Sequence, residues 1–485
     1  MKNPFYLLIV ILIALAACKK EKIGQSYNSG GISGSNPTPV NKPPIANAGP
    51  DHRPNRDSFL LDGSASSDPD GAIARWQWRK IFGPGDVVII SQNQKQTYVT
   101  VNSMGFFQFE LEVTDNGGLS SKDSISLFFF LPGYLCDTIT RPVVPSSLKQ
   151  FWRFPFDRSG VGVTTLGTKV YFAGGREGIV GNPTAHVAIL DMETKAESQA
   201  YLSIPRAFIG CVSAGTKVFF AGGWTWTSAL SRVEIVDVAA GTSATAELSE
   251  ARWSVTTAVL GSKVFFAGGF FWNGSTNQPS SRIDIYDMGT NTWSTSNLSE
   301  ARGDIAVTVF DNKLYFAGGN RGYSVSSAID IYDGQSGSWT LSSLSVAVAS
   351  AVAISAEGKI YFAGGYDINL GSGGAPLRSS KCDVQIRNMN DQSYSFANLM
   401  TKAATLVACK QNNKIIFFPA GENASIFFDV YNITANSWSI GLINDFLRGG
   451  VCFVYNNDIY IAGGYFGSTT FGPITINDKV LKLEF

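Results

Sequence analysis

Along its C-terminal two thirds the chain alternates apolar runs of about five or six residues with pairs of turn-forming residues, and no long amphipathic helical pattern interrupts them. Such punctuation predicts short strands joined by tight turns. One run is written repeatedly: KVYFAGG, ending at Gly175, returns as KVFFAGG twice, then as KLYFAGG and KIYFAGG. Its glycine pair falls at Gly174/Gly175, Gly222/Gly223, Gly268/Gly269, Gly318/Gly319, Gly364/Gly365 and Gly463/Gly464, and a degraded copy, KIIFFPAG, ends at Gly421. Spacings of about 43 to 56 residues signal a propeller or another repeat array. Seven copies predict seven blades.

Within each copy an apolar strand precedes a two-residue turn, such as Gly167-Thr168, Asp311-Asn312 or Asn456-Asn457. Most of these pairs tolerate the positive φ of a tight hairpin. The repeated strand follows, then a variable loop, a third strand such as RIDIYD, and a strand carrying Trp. Over residues 149–485 this grammar resembles the kelch repeat of β-propellers. The kelch tyrosine maps to Tyr286, Tyr332 and Tyr431, and the kelch tryptophan to Trp293, Trp339 and Trp438. Other copies depart, with Leu190, Val236 and Arg387 at the first position and Glu197, Ser243 and Tyr394 at the second. The last copy stops after its third strand, while LKQFWRFPFDR before the first copy looks like a fourth strand. If Trp152 plays the part of Trp293, the two ends pair and close the ring, leaving only short protected edges.

Ahead of the repeats, PPIANAGPD, LDGSASSDPDG, WQW and FELEVTDNGG lie along short alternating strands. They resemble the PKD domain, an immunoglobulin-like β-sandwich, over residues 43–131. Trp76 and Trp78 share a strand face, and at least one should fill the space between the sheets. Asp68 and Asp70 sit where hard oxygen donors could meet calcium or where an Asx-Pro turn needs an acceptor, and a full ligand set is not visible. No metal or other cofactor is predicted. The fold expected is all-β: an immunoglobulin-like β-sandwich followed, after a linker at 132–147, by a seven-bladed kelch β-propeller at 148–485.

The first residues, MKNPFYLLIVILIALAAC, combine a basic start with an apolar run of about 13 residues, short of the ~20 that span a bilayer. They resemble a bacterial lipoprotein signal with lipobox Leu15-Ala16-Ala17-Cys18. The resemblance implies cleavage after residue 17, lipidation of Cys18, and, with Lys19 next, retention at the outer membrane. Residues 19–42, rich in Gly, Ser, Asn and Pro, read as a flexible tether of about 25–30 Å mean reach.

Acidic and basic residues balance at 38 each, so a nucleic-acid partner is not expected. Beyond Cys18, the chain has Cys136, Cys211, Cys382, Cys409 and Cys452, an odd number without C-x-x-C spacing. Neither a disulfide framework nor a zinc site is predicted from them. Cys211, Cys409 and Cys452 lie in apolar runs, where a free cysteine acts as a small hydrophobe.

Catalytic motifs are scarce. Only His52 and His186 are present, which excludes the copper site of kelch-type galactose oxidase. No nucleophile elbow or phosphate loop occurs. A recurrent cation is more informative: Arg158, Arg206, Arg252 and Arg302 each stand eleven residues before the lysine of the phrase, and Arg448 ten before Asp458. Val348 and, one residue off, Lys402 take the place in the remaining copies. First strands line a propeller's channel, so these arginines should ring one mouth. Five guanidiniums would repel one another unless anions, carboxylates or carbonyls separate them. Either they offer forks to an acidic ligand, or they brace the blades through loop carbonyls.

In an up-and-down blade the loop between strands two and three lies beside the start of strand one. Those loops carry Trp224, Trp226, Phe270, Phe271, Trp272, Tyr366, Tyr465 and Phe466. Aromatics and arginines should therefore share a face, suited to a sugar or a peptide. The expectation is a lipid-anchored, non-catalytic module that binds a protein or glycan ligand. The competing expectation is an enzyme resembling sialic-acid mutarotase, with Glu250 and Glu300 as the recurrent acid/base candidates.

Overall fold

The computed structural model describes residues 40–485 apart from short stretches that include 51–57, 130–135, 421–426 and 467–474. Cys18 and most of the expected tether lie outside the described residues. So does Gly421, which ends the degraded copy. Among the described residues every regular element is a strand.

The N-terminal unit is a sandwich of two antiparallel sheets. One holds Ser58–Asp62, Gln96–Val101 and Val87–Ile89, and the other Ile73–Phe82, Gly105–Asp115 and Ser120–Phe129. Alternating apolar positions of the long strands, among them Phe107, Phe109, Leu111 and Val113, meet Leu61 and Val99 between the sheets. Trp78 is fully buried there and Trp76 packs at the margin, as period-2 alternation predicts. In the turn the carboxylate of Asp70 accepts the amide of Lys42 at 3.0 Å. No group of three or more His, Cys, Asp or Glu among the described residues is placed to hold a metal.

Among the described residues the repeats form seven four-stranded antiparallel sheets, as a seven-bladed propeller requires. Their first strands touch in a closed circle, from Gly162–Leu166 in blade one round to Val451–Tyr455 in blade seven and back. Blade seven is completed from the other end of the repeats: Lys479–Glu484 pairs with Ser147–Arg153, with Trp152 opposite Val480. The turn pairs adopt positive φ where the sequence predicts it, for example at Asp311, Asn312, Asn456 and Asn457.

The glycine pair has a specific physical reason. At Gly222, φ is +62°, and a Cβ would sit 2.3 Å from the carbonyl oxygen of Arg252 in the next blade. The amide of Gly223 donates to that same carbonyl at 2.9 Å. The repeated phrase therefore ends in two residues without side chains because the neighbouring blade's backbone docks on them.

Aromatic pairs fill the gaps between blades. Tyr286 stands opposite Trp293 in register, with ring centroids 5.1 Å apart, and also meets Phe219 of blade two at 5.6 Å. Where blade five replaces the tyrosine with Arg387, the guanidinium lies 5.8 Å from the Tyr394 ring, so a cation replaces one ring in the stack.

The cysteines correct the sequence reading. Cys136 is bonded to Cys382 and Cys409 to Cys452, leaving Cys211 free. Cys409 and Cys452 lie on the first strands of blades six and seven. Neighbouring blades bring them together across 43 residues, whereas the other pair spans 246. Neither separation resembles a local motif.

Candidate functional site

Each recurrent arginine lies a few residues before the first strand of its blade. Arg206, Arg252 and Arg302 are completely buried, and Arg158 is nearly so. Their guanidiniums turn into their own blades. Arg302 donates to the carbonyls of Gly318 at 2.9 Å and Ala328 at 2.6 Å and pairs with Asp330. Arg252 repeats the arrangement with Gly268, Arg282 and Asp284, and Arg206 pairs with Glu234. In blade one Ala188 stands at the register of these acids, and Arg158 donates to the carbonyls of Gly174 and His186. Burial lowers the Arg158 pKa to about 10, with Glu177 and Glu197 opposing the shift. The backbone of Arg448 pairs with Tyr465, and its side chain lies outside the described residues.

Thus Arg158, Arg206, Arg252 and Arg302 engage their own blades, the bracing arrangement of the two that the sequence left open. The acids at their far ends were missed in the sequence. Glu234, Asp284, Asp330 and Asp429 occupy one register position on the third strand, as does Gln385 in blade five. Burial alone would raise the pKa of Glu234, but hydrogen bonding and the charge of Arg206 hold it below the usual range. These side chains also accept backbone amides from the segment before the arginine or the residue that replaces it: Ser203, Ser249, Ser299, Val346 and Met400. An acid inside an apolar strand at this fixed register was the available signal.

On the face reached by the loops between strands two and three, short ladders pair those loops with the residues after the arginine. Ala207 pairs with Trp224, Trp253 with Phe270, Gly303 with Asn320, and Ala349 with Tyr366. One residue further on, Phe208, Ser254, Asp304 and Ser350 all have φ between +49° and +58°. Their amides and carbonyls link blades in sequence: Phe208 to Gly160 at 3.1 Å, Ser254 to Phe208 at 3.0 Å, and Ser350 to Asp304 at 2.8 Å. Left-handed backbone at ordinary residues costs about 1–3 kcal/mol each and persists where surrounding bonds over-determine it.

Blades two and three present a continuous aromatic surface here. Trp224 lies 6.3 Å from Trp253 and 6.4 Å from Trp272, while Phe208 is 5.7 Å and Phe270 4.9 Å from Trp253. Arg176 stacks between Phe208 and Trp226, at 4.9 and 5.1 Å. Trp226 and Trp272 remain 42% and 44% exposed. Phe270 is buried, and Phe271 is half-buried. Thus Trp224 and Trp272 come together with Phe208 and Trp253, two residues the sequence reading missed, and Trp226 joins them through Arg176.

One blade further round, the surface becomes polar. Tyr366 is buried and donates to Asp304 at 2.6 Å, while Asn320 donates to the Tyr366 oxygen at 2.9 Å. Burial and the nearby Asp304 carboxylate raise the Tyr366 pKa, so it stays a donor. Glu250 and Glu300 accept the hydroxyls of Ser280 and Ser326. Tyr465 and Phe466 are placed by their backbone alone.

Residues 48–128 match the PKD domain family of the KIAA0319-like type, and residues 252–296 match the Kelch motif. Among curated proteins, the mouse dyslexia-associated protein KIAA0319-like protein is 37% identical over 89 residues, and human dyslexia-associated protein KIAA0319 is 38% identical over 90. Each match covers 18% of this chain and 8% of the relative. With seven antiparallel blades behind the sandwich, the chain carries a PKD domain followed by a kelch-repeat β-propeller.

Proposed function

We propose that this protein is a lipid-anchored envelope protein whose kelch propeller is a non-catalytic module for a protein or glycan ligand. The observation that carries the reading is the exposed Trp226 and Trp272 on the loop face, Trp272 packed with Trp224 and Trp253, and Trp226 joined to Phe208 through Arg176. Large amphipathic rings give much contact area for little conformational entropy, so they are favoured anchors. The guanidiniums that a mutarotase-like site would use for a substrate carboxylate are occupied by Glu234, Asp284 and Asp330, which favours binding over turnover. Anchoring rests on the lipobox ending at Cys18, and two disulfides accord with an oxidising compartment.

Two measurements test this. A Trp226→Ala/Trp272→Ala variant is expected to bind its ligand at least about tenfold more weakly, a loss of about 1.4 kcal/mol or more. Undiminished binding would remove the loop face as the site. Cys18→Ser is expected to move the protein from the membrane fraction to the soluble fraction, and unchanged fractionation would remove the anchor.

A further inference from the structure

The chemistry around the two exposed tryptophans narrows the ligand class, an inference that rests on the loop face being the binding surface. Residues 224–229, WTWTSA, and 270–279, FFWNGSTNQP, contain no Asp, Glu, Lys or Arg. Their exposed positions are hydroxyls and amides, including Thr227, Ser228, Asn273, Thr276 and Asn277. The two segments fold as neighbouring tips: Thr225 receives the amide of Ser228, and Phe270–Trp272 pairs with Asn277–Pro279 as a small hairpin.

The Trp224 and Trp272 rings stand at 64° to each other with centroids 6.4 Å apart. They form an angled pair of walls. Arg176 is the cation that meets the tips, and other cations of the loops between strands two and three are engaged in their own blades. Arg176 lies between two rings, Arg321 is near Glu300 at 3.7 Å, Lys381 is near Asp367 at 3.4 Å, and Arg378 covers the Tyr366 ring at 4.5 Å. The two tips themselves offer an acidic ligand no cation. A protein hot spot would bring its own apolar side chains, and the two tips expose no large aliphatic residue to receive them. Flat indole faces amid uncharged donors and acceptors instead match a molecule with apolar C–H faces and hydroxyl edges.

We propose that an uncharged oligosaccharide binds across the tips of blades two and three, with Trp226 and Trp272 stacking on pyranose faces and the hydroxyls and amides of both tips reading the ring edges.

The full-length protein would be titrated with uncharged gluco-, manno-, galacto- and xylo-oligosaccharides, with sialylated and uronic-acid oligosaccharides, and with acidic and apolar peptides. Intrinsic tryptophan fluorescence and calorimetry would report binding. The expected result is that at least one uncharged sugar binds, and that its affinity falls about tenfold or more in both Trp226→Ala and Trp272→Ala. Trp272→Phe should recover part of it, and raising salt from about 0.05 to about 0.5 M should leave it unchanged, because no exposed charge pair is screened. Melting temperatures matching the wild type would show that the variants are folded.

Binding confined to acidic sugars or to a peptide, and lost in the tryptophan variants, would overturn the sugar proposal while leaving the loop face as the ligand surface. Binding of an uncharged sugar that both alanine variants retain would overturn both. Failure of every uncharged sugar to bind would overturn this proposal alone.

Discussion

A guanidinium taken out of water must recover hydrogen bonds inside the protein, and the two terminal nitrogens of Arg302 do so from Gly318, Phe316, Ala328 and Asp330. Its worth is best measured by removing one partner and then both. Arg302→Ala should cost about 3–5 kcal/mol because Asp330 would remain buried without its counter-charge, whereas Arg302→Met with Asp330→Leu should lie much nearer the wild type. A double-mutant cycle by chemical denaturation checks this, and a single-mutant cost below about 1 kcal/mol would sink the bracing role. Alanine at these arginines would therefore report folding before it reported ligand affinity. The arginine spacing was legible in the sequence because it keeps a fixed offset from the lysine of the repeated phrase. Burial was not legible, because the partner acid lies 28 residues away in Arg206–Glu234 and 32 away in Arg252–Asp284.

At the scale of an element, blade six shows what happens when the local brace is missing. Its position equivalent to Arg302 is Ala403, whose carbonyl receives the amide of Gly365 from the preceding blade. It nevertheless keeps the acid, Asp429. The partner comes from outside the repeat: Arg141, in the segment expected to be a linker, pairs with Asp429 at 2.6 Å and lies 5.0 Å over Trp438. The same segment is laid along the outer strand, with Val144 donating to Ile440 at 2.8 Å and Ile440 to Pro142 at 3.0 Å. The Cys136–Cys382 bond and a 3.2 Å bond from the Cys136 amide to Met400 hold its start.

Arg141→Ala should thus destabilise the propeller by about 3 kcal/mol or more, while Lys149→Ala, which breaks an exposed pair with Glu484, should cost at most about 1 kcal/mol. Equal shifts in the calorimetric transition would show that Arg141 is not completing blade six. Nothing in local sequence reveals this strap. Its partner lies 288 residues on, and a single arginine between threonine and proline carries no periodic signal. Blade number and turn chemistry were legible because each copy restates them. Cys409 and Cys452 instead became neighbours only once adjacent first strands were placed side by side.

For the whole molecule, stability depends on whether the circle is closed, since each blade packs its faces on two neighbours and an open array would leave terminal sheets uncovered. Closure falls on the pairing of Lys479–Glu484 with Ser147–Arg153, at a blade whose first strand is also joined to blade six by Cys409–Cys452. The disulfide holds one side of blade seven to its neighbour, but it cannot replace the outer strand contributed from the N-terminal side. Val480 is fully buried and is paired on both sides, with Ala462 and with Trp152. Proline there would remove an amide donor from a strand that is paired on both sides, a position central strands do not tolerate. If the ring is one cooperative unit, Val480→Pro should lower the unfolding temperature of all seven blades together, with the disulfides intact. Limited trypsin digestion should then cut at Arg153 and Lys479 before the sites within blades two to four. A propeller that kept its main transition unchanged, with only blade seven becoming susceptible, would mean that six blades stand without closure and that the N-terminal strand merely covers an edge.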